Sequence, residues 1–259
     1  MKIKTTKGIK LYYKEQAKKF GTDKRSTISD INTRNLEIEA LLKYIENNKD
    51  VLEIGCGNGY TAKVIAEKKK INLTAIDFSE DLIKLAKKQI IKGSISKVTF
   101  NIGDATNLKF PDNSFDVVFT ERCLINLITW NHQKKALSEI FRVLKSRGVL
   151  ILLEAFSDGW ENLNKTRAEF GLKAIPQSPH NTFFEKEKVI NFFTNKLEFL
   201  KEDNFLSTYH FGSRVLYPIL LKATTNKEPE YNSPFSAFFA KMMPYGNYSS
   251  VGIMIFKKI

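Results

Sequence analysis

Short apolar segments rich in β-branched residues alternate with longer amphipathic segments between residues 50 and 153. The short segments have the length of buried strands, and the longer ones repeat apolar positions at helical spacing. This alternation is typical of βαβ units around a parallel sheet. It predicts strands at 51–54, 73–76, 98–102, 115–120 and 149–153, with helices at 60–69, 80–91 and 133–144.

The pattern on either side of this core is less regular. Residues 1–49 predict two helices, at 9–20 and 33–47, which we expect to form a cover over a main domain at 50–259. The segments 155–204 and 218–248 are predicted to be insertions that shape the substrate site, the first of them with helices at 160–170 and 185–197. Strands at 205–211 and 251–256 are expected to complete the sheet.

Composition restricts the class of protein. The chain has 259 residues, 42% of them hydrophobic, which is enough for a large packed domain. Its longest apolar run, Gly148–Leu153, is far shorter than the roughly 18 residues that cross a bilayer. The basic N-terminus lacks the apolar stretch of a secretory signal. Cys56 and Cys123 stand alone, so we expect neither a disulfide nor a metal site, and a cytoplasmic location.

The formal net charge of +13 would suit a nucleic acid, an anionic membrane surface or an acidic small substrate. Of the 41 basic residues, 34 are lysine, whereas specific phosphate and base contacts favour the planar fork of arginine. We therefore expect a small-molecule partner, which the charge allows to be anionic, rather than a nucleic acid. No feature of the sequence predicts the oligomeric state.

A strand that runs directly into a glycine-rich loop is the most informative segment. Its sequence is Val-Leu-Glu-Ile-Gly-Cys-Gly-Asn-Gly, with glycine at 55, 57 and 59. Glycine permits positive φ and lets a ligand approach the backbone. The spacing is not that of the dinucleotide fingerprint GxGxxG, which disfavours NAD. Glu53 would repel a pyrophosphate and attract a cationic ammonium or sulfonium group.

This loop resembles the first motif of the class I S-adenosylmethionine-dependent methyltransferases, an acidic residue followed by x-Gly-x-Gly-x-Gly. The resemblance continues in order through Asp77 after the second strand, Gly103-Asp104-Ala105 after the third, the strand Phe115–Phe119, and the helix end and turn at 141–148. It covers residues 50–154, although Ser146-Arg147-Gly148 replaces the usual Pro-Gly-Gly turn. The alternative to a cofactor site is that the glycines only form a tight strand-to-helix turn and that Asp77 and Asp104 are solvated loop carboxylates.

The resemblance implies an α/β fold with a doubly wound, mostly parallel, seven-stranded sheet. It also implies S-adenosylmethionine as cofactor and S-adenosylhomocysteine as product. Asp77 would accept both ribose hydroxyls, and Asp104 would meet the adenine edge. Arg34 could hold the methionine carboxylate. The cofactor-binding residues expected on this basis are Glu53, Gly55, Cys56, Gly57, Gly59, Asp77, Phe78, Asp104, Ala105, Glu121, Arg34 and Tyr13.

On the acceptor side, methyl transfer chiefly requires alignment of a nucleophile with the methyl carbon. His180 in the first insertion and His210 in the late strand are the candidate proton acceptors, whereas His132 is expected to be solvated. Arg167 and Arg214 are candidate partners of an anionic acceptor. We expect a small-molecule acceptor, with oxygen favoured. An RNA or protein methyltransferase, or a non-enzymatic cofactor-binding module, remains the alternative.

Overall fold

A single sheet of seven strands organises the computed structural model, which describes residues 5–26, 28–89, 95–225 and 227–259. The strand order is β3-β2-β1-β4-β5-β7-β6. Neighbouring strands run parallel from β3 to β5, whereas β7 is antiparallel to both β5 and β6. The predicted α/β class is confirmed. The strands are β1 (Asp50–Ile54), β2 (Asn72–Asp77), β3 (Lys97–Ile102), β4 (Phe115–Glu121), β5 (Leu144–Ala155), β6 (Leu197–Asp203) and β7 (Val251–Lys258).

Helices precede the sheet and connect its strands. Their N-terminal ends use the capping residues that the sequence supplies: Asp30 accepts a hydrogen bond from Thr33 N, and Ser79 accepts one from Leu82 N. A π-helical turn at Gly212–Leu216 makes α8 and α9 continuous. The helices are α1 (Thr6–Phe20), α2 (Ile31–Tyr44), α3 (Tyr60–Lys68), α4 (Glu80–Lys87), α5 (Trp130–Val143), α6 (Ser157–Glu169), α7 (Lys186–Phe193), α8 (Ser207–Phe211), α9 (Tyr217–Thr224) and α10 (Pro234–Phe239).

The central strands are buried on both faces, as their continuous apolar sequences require. Leu52, Val118 and Ile151 each have no exposed surface. Strand β1 pairs with β2 on one side and with β4 on the other, so the chain changes winding direction at this point. Open α/β sheets bind ligands at the carboxyl ends of the strands beside such a switch point. The fold therefore places the glycine loop, which follows β1, at the expected crevice.

The late part of the chain differs from the prediction in three respects. The prediction of a strand at 205–211 is wrong, because Ser207–Phe211 is helical. His210 N donates to the carbonyl oxygen of Leu206. The missing strand is β6, which lies inside the segment 155–204 that was expected to be an insertion. The helix expected at 185–197 ends at Phe193. The predicted end of the helix at 80–91 falls partly on residues 90 and 91, outside the described residues.

In the described part of the chain, every helix is too short or too polar to cross a lipid bilayer.

Candidate functional site

A cleft of about 930 Å³ opens at the carboxyl ends of β1 to β4. It is lined by the glycine loop, by residues at the ends of β2, β3 and β4, by α1 and by residues of the segment 178–181. Residues from elements distant in sequence meet here because parallel strands end at the same edge of the sheet. The expected cofactor residues that line the cleft are Tyr13, Arg34, Gly55, Cys56, Gly57, Asp77, Phe78, Asp104, Ala105 and Glu121.

The glycine loop has the backbone conformation that its sequence predicts. Gly55, Gly57 and Gly59 all have positive φ, at 85°, 54° and 81°. A Cβ atom on Gly55 would lie 2.4 Å from the Sγ of Cys123, so no side chain fits there. Gly59 does not line the cleft and instead begins α3, packed against Phe100. The loop thus presents bare backbone to the cleft at its first two glycines.

Asp77 is the buried carboxylate at the end of β2. Its Oδ2 accepts a hydrogen bond from Gly57 N at 3.0 Å, and its Oδ1 accepts one from Ser79 N at 2.8 Å. Burial raises the pKa of Asp77 to about 6, against the opposing effect of these two bonds. Each oxygen has remaining acceptor capacity. A ligand with two adjacent hydroxyl groups could therefore donate to both oxygens.

Asp104 and Ala105 lie at the mouth of the cleft after β3. Asp104 is exposed, and its Oδ1 accepts hydrogen bonds from Thr106 N and Thr106 Oγ1, each at 2.8 Å. These bonds hold the turn, so Asp104 offers its other oxygen to a ligand.

Glu53 lies beneath the glycine loop and is fully buried rather than part of the lining. Neither of its carboxylate oxygens has a hydrogen-bond partner among the described residues. Burial, reinforced by the charge of Glu121, raises the pKa of Glu53 well above its ordinary value. An unpartnered carboxylate in this position suits a site that receives a cationic ligand.

Arg34 on α2 and Glu121 at the end of β4 form a buried ion pair in the cleft wall. Their Nη1 and Oε1 atoms lie 3.2 Å apart, and Arg34 Nη1 also donates to Thr61 Oγ1 at 3.3 Å. The pair places one cation and one anion side by side, which matches the carboxylate and ammonium of an amino acid.

Helix α1 covers the cleft with two tyrosines. Tyr13 meets the ring of Phe78 edge-on at 5.9 Å, and burial raises its pKa. Tyr12 lies against the ring of His180, with 4.8 Å between their centroids. Helix α1 therefore joins the expected cofactor side of the cleft to the expected acceptor side.

The two candidate proton acceptors have different surroundings. His180 lines the cleft, and its Nδ1 lies 3.0 Å from Ser178 Oγ. Burial lowers the pKa of His180, so the imidazole is neutral at pH 7. His210 is buried on α8, outside the cleft lining, with its Nε2 3.4 Å from Thr33 Oγ1. His210 thus contacts α2 and does not line the cleft.

Four further basic residues bear on the acceptor side of the cleft. Arg214 forms an ion pair with Asp30 at 2.7 Å, and Arg167 donates to the backbone carbonyl of Arg214, so both have structural partners. His132 is exposed at the start of α5, in agreement with its expected solvation, and it also lines the cleft, with its Nδ1 2.8 Å from Thr129 Oγ1. Arg122 also lines the cleft, and its place directly after β4 was the available signal.

Asn58, in the middle of the glycine loop, holds the cover in place. Its Nδ2 donates to the carbonyl oxygens of Gly21 and Asp23 at 3.0 and 2.9 Å. Nothing in the local sequence pattern indicates these contacts, because the partners lie more than 30 residues away.

Comparisons with known proteins agree with this geometry. A family model described as "Methyltransferase domain" matches residues 51–148. The chain is 36% identical over 132 residues to the ubiquinone/menaquinone biosynthesis C-methyltransferase UbiE of Rickettsia bellii, covering 48% of this chain and 52% of that protein. It is 33% identical over 106 residues to ajmaline N-methyltransferase of Rauvolfia serpentina, covering 40% of this chain and 35% of that protein. The chain thus spans about half the length of these curated relatives or less.

The fold is also found in solved structures. An S-adenosylmethionine-dependent methyltransferase of Methanosarcina mazei superimposes with a TM-score of 0.55 at 18% identity. The match covers 85% of this chain and 97% of that one. At this level of identity the similarity concerns the fold.

Proposed function

We propose that this chain carries a class I S-adenosylmethionine-dependent methyltransferase domain. On this premise, the whole protein transfers a methyl group to a small-molecule acceptor. The domain match at 51–148 and the seven-stranded sheet support the premise. S-Adenosylmethionine would supply a methyl carbon activated by the neighbouring sulfonium, and S-adenosylhomocysteine would leave as product.

The observation that carries the proposal is the meeting of bare loop backbone, Asp77 and a buried cation–anion pair in one cleft. Asp77 would accept the two ribose hydroxyls, each as a charge-assisted hydrogen bond. Asp104 would receive the adenine edge. Arg34 and Glu121 would receive the carboxylate and ammonium of the methionine part. A cationic group bound above the unpartnered Glu53 would favour the ionised form of this carboxyl and offset the effect of its burial.

The acceptor would bind on the α1 side, beside His180. A neutral imidazole can take a proton from a hydroxyl as that oxygen is methylated, and Ser178 together with Tyr12 would fix the orientation of the ring. Tyr12 and Tyr13 would exclude water from the reacting atoms. These features favour an oxygen acceptor on a small molecule. The matched relatives are named as a C-methyltransferase and an N-methyltransferase, so their names support a small acceptor without selecting its reacting atom.

Cofactor binding provides the first test. Titration calorimetry should show binding of S-adenosylmethionine and S-adenosylhomocysteine and much weaker binding of NAD. Asp77→Asn replaces one acceptor oxygen by a donor, so its affinity should fall about 10- to 100-fold, from about 1.5 to 3 kcal/mol per charged hydrogen bond. Asp81→Asn, outside the cleft lining on the same chain segment, is the matched control and should bind normally. Normal affinity of a folded Asp77→Asn variant would remove Asp77 from the site.

Methyl transfer provides the second test. Protein supplied with methyl-labelled S-adenosylmethionine should label a component of a small-molecule extract and release S-adenosylhomocysteine. Label that enters only RNA or protein fractions would support the alternative acceptor classes. Cofactor binding without any transfer would favour a non-enzymatic module.

A further inference from the structure

Arg122 has a backbone conformation that is unusual for its residue type. Its φ is 47°, in the left-handed region that disfavours side chains with a Cβ. Two hydrogen bonds hold it there: Arg122 N donates to Leu153 O at 2.7 Å, and Arg122 O accepts from Asn126 Nδ2 at 3.0 Å. Strained non-glycine residues that the surrounding structure holds in place occur preferentially at functional sites. Here the strain turns an arginine side chain into the cleft at the end of β4.

The guanidinium of Arg122 is only partly satisfied. Its Nε lies 2.9 Å from Oε1 of the fully buried Glu37, yet neither atom makes a hydrogen bond of acceptable geometry. The terminal nitrogens make no hydrogen bond to any residue that the structure describes. The side chain remains 20% exposed, on the cleft side. Arg122 thus keeps planar, cationic donor capacity in a site that is largely shielded from water.

The other arginines near the cleft use terminal guanidinium nitrogens in their ion pairs. Arg34 is paired with Glu121, and Arg214 is paired with Asp30 away from the cleft lining. The lysines of the lining, Lys10, Lys109 and Lys135, are exposed. Arg122 is therefore the cation best placed to bind an anion with little competition from water.

The neighbours of Arg122 connect it to the acceptor side. Arg122 and Tyr12 both line the cleft, and the charge of Arg122 opposes the rise that burial gives to the pKa of Tyr12. Tyr12 in turn packs on His180. Burial also raises the pKa of Glu37 to about 8, which opposes its ionisation beside Arg122.

We propose that Arg122 is the anchor for a carboxylate group on the methyl acceptor, held beside Tyr12 and within reach of His180. A carboxylate matches the planar fork of arginine with two parallel hydrogen bonds, which gives orientation as well as affinity. The inference rests on the proposed function for its description as an acceptor site. The binding of a carboxylate at Arg122 is nevertheless measurable by itself.

The test compares benzoate with benzyl alcohol, which differ in the anionic group, by ligand-detected NMR titration with and without S-adenosylhomocysteine. The wild type should bind benzoate about 10- to 100-fold more tightly, the range expected for a charge-assisted contact. Arg122→Gln should reduce this preference to about twofold or less. Arg25→Gln removes the same charge from an exposed arginine outside the cleft lining and should leave the preference unchanged.

Two results would overturn the inference: no preference for benzoate in the wild type, or a preference that persists in Arg122→Gln. Loss of S-adenosylhomocysteine affinity in Arg122→Gln, with the benzoate preference retained, would instead assign Arg122 to the cofactor. If the glutamine variant does not fold, Arg122→Lys keeps the charge without the planar fork, and an undiminished preference would contradict the carboxylate match. Failure of the wild type to bind S-adenosylhomocysteine would refute the proposed function. The benzoate titration in the absence of S-adenosylhomocysteine would still test whether Arg122 binds a carboxylate.

Discussion

Removal of the Asn58 side chain should loosen the helical cover without unfolding the domain. Asn58 is buried, and its Nδ2 makes two hydrogen bonds to the carbonyls of Gly21 and Asp23, directly after α1. Each such bond between neutral groups contributes about 0.5 to 1.5 kcal/mol net, so Asn58→Ala should favour opening of the cover by about 1 to 3 kcal/mol. That energy corresponds to about a 5- to 150-fold increase in the opening equilibrium.

Hydrogen exchange measured by mass spectrometry tests this expectation. Amides of α1 should exchange faster in Asn58→Ala by about that factor, whereas those of α5, which packs against the sheet, should change little. Asn35→Ala, at an exposed position of α2, is the matched control. Since α1 carries Tyr12 and Tyr13 into the cleft, cofactor affinity should fall with the opening. If amide exchange in α1 stays within twofold of wild type, the Asn58 hydrogen bonds do not hold the cover. If exchange in α5 accelerates equally, the substitution has lowered the stability of the whole domain instead.

Three further predictions concern His180, Asp30 and the buried glutamates Glu37 and Glu154. His180→Ala should lower turnover about 10²- to 10⁴-fold with an unchanged melting temperature, and near-full turnover would refute its role as proton acceptor. Asp30→Ala should destabilise the protein by about 3 to 5 kcal/mol in urea unfolding, because it leaves Arg214 buried without its partner; a loss below about 1 kcal/mol would contradict this. Glu37 and Glu154 have pKa values raised to about 8 and about 7, so the folded state binds more protons than the unfolded state in this range. Unfolding free energy should therefore fall as pH rises from about 5 to about 8, and a rise in urea midpoints over that range would show the opposite sign.

The sequence could predict β1, β2, β4 and β5 because these strands are largely buried and have continuous apolar runs. The edge strand β3 is mostly exposed, but its apolar residues Val98, Phe100 and Ile102 alternate with polar ones, which is typical of a strand. The sequence could not predict β6, which among the described strands pairs with β7 alone and whose residues are mostly exposed. Leu200, for example, is 45% exposed, so the strand carries little of the apolar alternation that marks a half-buried strand. The neighbouring segment 205–211 is apolar enough to suggest a strand. Its buried positions Leu206, Tyr209 and His210 instead follow helical spacing, and His210 N donates to the carbonyl oxygen of Leu206.

Some residues of the candidate site could be predicted from the local sequence, whereas others depend on contacts between distant parts of the chain. Asp77 and Asp104 could be located because each directly follows a predicted strand, and strand ends share one edge of the sheet. The pairing of Arg122 with Glu37 and of Asn58 with Gly21 depends on how α1 and α2 pack over that edge. No periodicity encodes such contacts. The placement of His210 in a strand was wrong, because alternation along a strand was applied to a residue that lies in a helix.

The two proposals about the acceptor constrain each other. If a carboxylate oxygen were itself the nucleophile, it would need no base, and pairing with Arg122 would lower its reactivity by stabilising its charge. A site that holds both Arg122 and the neutral His180 is therefore suited to an acceptor with two functions, a carboxylate that anchors and a separate protonated group that is methylated. The ring of Tyr12 contacts His180 and lines the same cleft as Arg122, so it would space these two groups. Acceptors that lack the carboxylate should then lose affinity in the wild type, yet should still require His180 for turnover.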